Sequence, residues 1–107
     1  MKKSEVVAKL TDFGLTKFQA RLYVAGLSLG PTLMAILARE ANVRRTTSHY
    51  LMDELQRRKF FSTRKIGRRK YYIAATPEQL IEMTKNREQL VRSVYNPLKS
   101  FQKEGSF

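Results

Sequence analysis

The sequence predicts a mostly helical α+β domain: four helices, a two-stranded hairpin and a long last helix. Three observations predict it. Apolar residues recur at helical spacing through most of positions 4–58, residues 60–74 hold two β-branched and aromatic runs around Gly67, and Thr76-Pro77 opens a fresh helical pattern. At 107 residues, with 42% hydrophobic and 10% aromatic side chains, the chain suffices for one modest core.

Ser4 is expected to cap a short first helix to about Thr11, with Val6, Val7 and Leu10 on one face and Gly14 ending it. Thr16 caps a clearer helix over 17–29, where Phe18, Leu22, Tyr23, Ala25, Gly26 and Leu29 follow helical spacing. Gly30 suits its C-terminal position and Pro31 prevents continuation. Thr32 is expected to cap a third helix, Leu33 to about Glu40, that buries Leu33, Ile36 and Leu37. After the break at Ala41-Asn42-Val43, a longer helix runs from about Arg44 to Arg58 with Leu51, Met52 and Leu55 apolar. Residues 60–66 and 69–74 read as strands, and Gly67-Arg68 between them suits a type II′ turn. Thr76-Pro77-Glu78-Gln79 combines a capping Thr, Pro at the first helical position and Gln three after the cap. The helix it opens should reach about Tyr95, and Pro97 must break or kink it. The expected division is therefore 1–76 and a C-terminal helical segment, 77–107.

The third and fourth helices, joined by a three-residue turn, form a helix-turn-helix arrangement. Close crossing of two helices needs a small residue, and Ala38 stands there. The turn needs a left-handed conformation, which Asn tolerates better than other non-glycine residues, and Asn42 stands there. Leu37, Ala41, Val43 and Leu51 lie at inward positions; Ser48 is the one polar residue where an apolar one is expected. A hairpin directly after the second helix completes the plan of a winged helix-turn-helix, with residues 60–74 as the wing.

Charge is concentrated on that plan. Residues 41–75 carry ten Lys or Arg against Asp53 and Glu54, so a net +8 of the formal +12 sits in one third of the chain. Such focusing makes a local field for a polyanion. With Leu51, Met52 and Leu55 inward, the fourth helix presents Arg44, Arg45, Thr47 and Tyr50, with Thr46 beside them. Its N-terminal end would face base edges in a major groove. Arg44 and Arg45 suit paired hydrogen bonds to guanine, though a plain phosphate contact is an equal role for either. Thr46 and Thr47 suit phosphate or a thymine methyl, and Tyr50 could equally lie half-buried beneath the wing. In the wing, Arg64, Lys65, Arg68, Arg69 and Lys70 cluster around Gly67, placed for phosphate or the minor groove. Arg57, Arg58 and Lys59 are expected to favour the helix dipole or to lie against distant phosphates.

Residues 13–32 (FGLTKFQARLYVAGLSLGPT) resemble the opening helix of the TrmB-like winged-helix transcription regulators, which show Leu-Thr, Glu/Gln-Ala-Arg, Tyr and Leu-Gly-Pro in this order. Residues 42–59 resemble the family's recognition helix, with Arg45-Thr46 matching its Arg-Thr, and 70–80 resemble the second wing strand and the next helix start. The resemblance covers about 10–82 and implies a double-stranded-DNA-binding regulator. Three departures stand out: Lys59 occupies the family's usual Gly before the first strand, so that helix end should be closed another way; the wing is one residue longer; and Ser48-His49 replace an apolar-aromatic pair. Larger members continue into a sugar-binding effector domain, so no sugar sensing is expected of these residues.

In the last segment Leu80, Thr84, Arg87, Val91, Val94, Leu98 and Phe101 step by fours and threes, a partial heptad seam. Pairing of Leu80, Val91, Val94, Leu98 and Phe101 with a second copy would make a homodimer with two recognition helices; packing on the chain's own first helix is the other use of that face. No catalytic, cofactor or metal site is expected. Cysteine is absent, His49 is the single histidine, and no phosphate-binding glycine loop or G-x-S-x-G occurs. Asp53 and Glu54 are adjacent on a helix and point apart. The start MKKSEVVAKLTDFG lacks the apolar run of a signal peptide, and a cytoplasmic protein without a membrane span is expected. The reading from a different class is a winged-helix module holding protein or RNA in a larger assembly, favoured if Phe60, Phe61, Tyr71 and Tyr72 faced outward for stacking.

Overall fold

A computed structural model describes residues 1–103. The chain divides after Thr76 into two units. The first holds α1 (Lys3–Asp12), α2 (Lys17–Leu29), α3 (Met34–Ala41), α4 (Arg45–Arg57), β1 (Phe61–Ile66) and β2 (Arg69–Ala74). The second holds α5 (Pro77–Ser93) and α6 (Tyr95–Phe101); the last four residues of the expected 77–107 segment lie outside the described residues.

α2 is the hub of the first unit. Thr16 and Gln19 close its start reciprocally: Gln19 N donates to Thr16 Oγ1 at 3.1 Å and Thr16 N donates to Gln19 Oε1 at 2.9 Å. Its inward stripe is Gln19, Leu22, Tyr23 and Gly26, which leaves the expected core positions Phe18 and Leu29 exposed. Around it gather Leu15, Leu37, Met52, Leu55, Phe60 and Phe61, all buried. Phe60 meets Tyr23 and Phe13 edge to face at 5.9 Å each. The Tyr23 hydroxyl donates to Ala75 O at 2.6 Å, tying α2 to the end of the wing. A methyl at Gly26 would stand 2.7 Å from the Phe61 ring, so only glycine lets α2 approach the base of the wing this closely.

Two expected caps are displaced. α1 opens at Lys3 instead of after Ser4, with the Lys2 amide donating to Glu5 Oε1 at 3.4 Å. Thr32 does not cap α3. Its N–H donates to Tyr72 O at 3.1 Å and its carbonyl accepts from Tyr72 N at 2.7 Å, so its backbone is committed to the sheet as an isolated bridge. The helix therefore starts at Met34, with Leu33 half-buried ahead of it. Its buried positions are Met34, Leu37, Ala38 and Ala41, while Ile36, expected inside, is 38% exposed.

The end of α4 corrects a further expectation. Lys59, standing where a glycine is usual, adopts the left-handed conformation itself at φ 69°. Phe60 N donates to Leu55 O at 2.8 Å and Lys59 N to Gln56 O at 3.0 Å, the paired bonds of a Schellman closure. Phe60 O then accepts from Ala75 N at 2.8 Å, which clasps the hairpin at its root.

The wing is an antiparallel pair with Phe61 opposite Ala74 and Ile66 opposite Arg69, closed through Gly67 at φ 61°. Only its root is buried; Ser62 to Lys70 are all exposed.

In the second unit α5 ends at Ser93, two residues before the expected Tyr95, and the chain breaks at Val94 (φ −110°, ψ 7°). A continuous helix would drive the Pro97 ring into the Ser93 carbonyl. The break removes that clash and leaves Pro97 in the first turn of α6, where a missing N–H costs nothing. No described residue of α5 or α6 is buried. No helix among the described residues is long and apolar enough to cross a membrane.

Candidate nucleic-acid interface

The turn that aims α4 is built by the same closure as its end. Asn42 sits in the left-handed region at φ 55°, ψ 47°. Val43 N donates to Ala38 O at 3.0 Å and Asn42 N to Arg39 O at 3.1 Å. Arg21 of α2 then fastens the turn, with Nε donating to Ala41 O at 3.1 Å and Nη2 to Asn42 O at 3.0 Å. Arg44 is the residue before α4, and its carbonyl accepts both the Ser48 amide at 2.8 Å and the Ser48 hydroxyl at 2.9 Å. That second bond explains how Ser48 fills a fully buried position: its hydroxyl is satisfied within its own helix.

Burial of Ser48, Met52 and Leu55 fixes the outward face of α4. Arg45, Thr46, His49 and Tyr50 are exposed on it, Tyr50 by 79%. Thr47 is half-buried, so it stands at the edge of the face and not at its centre; Leu51 is half-buried too. Tyr50 does not lie beneath the wing.

A cleft of about 350 Å³ joins this helix to the wing. Arg45 and His49 of α4, Arg69, Lys70 and Tyr72 of β2, and residues 33–35 at the start of α3 line it. Lys70 Nζ sits 5.4 Å from the Tyr72 ring, held by cation–π attraction along the cleft wall. Arg44, Arg64, Lys65 and Arg68 are exposed outside it. The register puts Lys65 and Lys70 on the Tyr72 face of the hairpin, and Arg64 and Arg69 on the other. The sequence-predicted cations therefore converge only in part: Arg45, Lys70 and, from the turn end of β2, Arg69 line one concavity, while Arg64, Lys65 and Arg68 surround the wing tip and Arg44 stands at the start of α4.

Salt bridges among the described residues are Arg58–Glu54 at 3.3 Å and Arg92–Glu88 at 3.5 Å. Among the described residues, the cations of α4's start and of the wing are in neither of these pairs. Arg58, at the C-terminal end of α4 where a cation favours the helix dipole, also has a use within the fold. It donates to Gly14 O at 3.0 Å and lies 5.1 Å above the Phe60 ring, holding the α1–α2 loop to the end of α4. His49 is the cleft residue that sequence reasoning passed over; its position four after Arg45, one helical turn on, was the available signal.

Helix, left-handed turn, helix and two-stranded wing define a winged helix-turn-helix domain. No protein-family model matches the chain. It is 30% identical over 102 residues to the HTH-type sugar sensing transcriptional regulator TrmBL1 of Pyrococcus furiosus, which covers 95% of this chain and 29% of that protein. The chain is thus homologous, over nearly its whole length, to a TrmB-like winged-helix regulator of which it spans 29%. Among solved structures, TrmBL2, an archaeal chromatin protein described with a novel mode of DNA binding, matches with a TM-score of 0.81 at 24% identity, over 94% of this chain and 39% of that one. MepR, a transcription regulator of the Staphylococcus aureus multidrug efflux pump MepA, matches with a TM-score of 0.55 at 21% identity, over 95% and 76%. Both structures share the winged-helix fold with this chain.

Proposed function

We propose that this protein is a sequence-specific, double-stranded-DNA-binding transcriptional regulator that acts as a cytoplasmic homodimer. Residues 1–76 bind the duplex and the segment from Pro77 onward pairs two subunits. α4 enters the major groove, Arg44 and Arg45 reading base edges while Thr46, Thr47 and Tyr50 touch backbone or thymine. Arg64, Lys65, Arg68, Arg69 and Lys70 lay the wing on phosphate or in the minor groove. The observation that carries this reading is the cleft lined by Arg45 of α4 and by Arg69 and Lys70 of the wing, a concave cationic surface beside the outward face of α4. The homology to a transcriptional regulator supports it, and so does a fold shared with a DNA-binding chromatin protein. One of these proteins is named a transcriptional regulator and the other a chromatin protein, which favours binding over catalysis as the role of this chain.

Second copies are invoked for α5 and α6 because Val91, Leu98 and Phe101 are 56%, 55% and 83% exposed there. α5 spans 17 residues, none of them buried, and most helical stability in proteins comes from packing of an apolar face. The RNA-binding alternative needs outward aromatics; Phe60, Phe61 and Tyr72 are buried and Tyr71 is half-buried, so the stacking platform it requires is missing from the wing.

The test is selection of bound sequences from a random duplex pool, repeated with Arg44→Ala/Arg45→Ala. A two-fold symmetric motif lost in the double variant is the expected result. Recovery of no motif, with single-stranded RNA retained equally well, overturns the proposal.

A further inference from the structure

A second concavity, larger than the cleft, runs along the faces of α1 and α2. It measures about 680 Å³, within the range of small-molecule sites, and its walls are mainly apolar. Val7 and Ala8 of α1 and Val24 and Ala25 of α2 form the floor. Three cations, Lys3, Lys17 and Arg21, lie on the rim against one acid, Glu40. Among the described residues, none of these four charges is in a salt bridge. Arg21 spends Nε and one Nη2 proton on the Ala41 and Asn42 carbonyls, and its Nη1 donors remain to be used.

We propose that this groove binds a small amphipathic carboxylate, an aliphatic chain or ring carrying a single anionic head. The apolar body lies on Val7, Ala8, Val24 and Ala25, and the carboxylate accepts from Arg21 and Lys17. The charge balance selects this class. A neutral amphiphile buries the same apolar area but leaves the rim cations unpaired, and a cationic one is repelled by them. A nucleic-acid backbone satisfies the cations and has nothing to lay on the floor. A second copy of the chain is the remaining occupant, and it is distinguishable by concentration. The inference does not rest on the DNA-binding reading, since a different set of residues makes the site.

The experiment titrates sodium octanoate into the isotope-labelled 107-residue chain, with 1-octanol and octylammonium chloride as controls, and follows backbone amide shifts. Octanoate should give saturable shifts at Val7, Val24 and Asn42, octanol should bind about tenfold more weakly, and octylammonium should leave these amides unmoved. Two variants fix the sign. Lys17→Glu should weaken octanoate about fivefold, and Glu40→Gln should strengthen it by a similar factor. Both changes suit the helix ends where they lie, an acid entering the first turn of α2 and one leaving the last turn of α3, so folding is preserved. Equal response to all three amphiphiles, or an octanoate affinity that neither variant moves, overturns the proposal. So does self-association that shifts the same three amides as protein concentration rises and excludes octanoate, which would assign the groove to a second copy.

Discussion

Arg21 reaches from α2 to the carbonyl of Asn42, with its Nη2 3.0 Å from that oxygen, and so fixes the left-handed residue from which α4 departs. A second bond, from Nε to Ala41 O at 3.1 Å, makes the grip two-pronged. The aim of α4 is thus set from outside the helix-turn-helix. Arg21→Met keeps the stem and removes both bonds. Urea unfolding should show a loss of about 1–2 kcal/mol, toward the low end because the site is partly exposed.

Gly26 faces the Phe61 ring with no room for a methyl. Gly26→Ala gains helix propensity of about 1 kcal/mol. Overpacking against a buried ring at the root of the wing outweighs that gain, at roughly 1–3 kcal/mol. Net destabilisation is expected in thermal unfolding, and it should be partly rescued by Phe61→Leu. A more stable single variant would contradict the close approach of α2 to β1.

Lys59 holds a left-handed conformation that glycine adopts freely. Lys59→Gly should therefore stabilise the domain by about 1 kcal/mol, measured by the shift in denaturant midpoint at unchanged slope. The closing bonds from Lys59 N and Phe60 N are backbone bonds and survive the change.

For DNA binding, about four to five phosphates neutralised per subunit give about eight to ten per dimer, and affinity should fall about 10³- to 10⁵-fold between 50 and 200 mM salt. Lys70→Ala should lower the slope by roughly one unit for each site it occupies, uniformly across sequences. Arg45→Ala should also cost about 1–3 kcal/mol at one base position and relax specificity there. Fluorescence anisotropy across a salt series separates the two behaviours.

If the second unit pairs subunits, a charge on its exposed seam should separate them. Val91→Glu/Leu98→Glu is expected to convert a dimer to a monomer in sedimentation equilibrium, with the helical signal of the first unit retained. A wild-type protein that is monomeric at tens of micromolar would remove the dimer from the proposal.

The sequence by itself determined the order of elements, the three-residue turn at Ala41-Asn42-Val43, the hairpin around Gly67 and the concentration of charge on both. These are local properties: capping chemistry, left-handed tolerance and side-chain periodicity act over a few neighbours. Tertiary structure decided what depended on partners far along the chain. Thr32 looked like a cap until Tyr72, forty residues on, claimed its backbone, and Arg58, read as a partner of the helix dipole or of a distant phosphate, is held by Gly14 and Phe60. His49 entered the cleft, and Thr47 moved to the edge of α4's outward face, because burial of Ser48 set the rotation of α4. Which cations converge is fixed by packing between α2, α4 and the wing, and periodicity along one element carries no information about the rotation of the next.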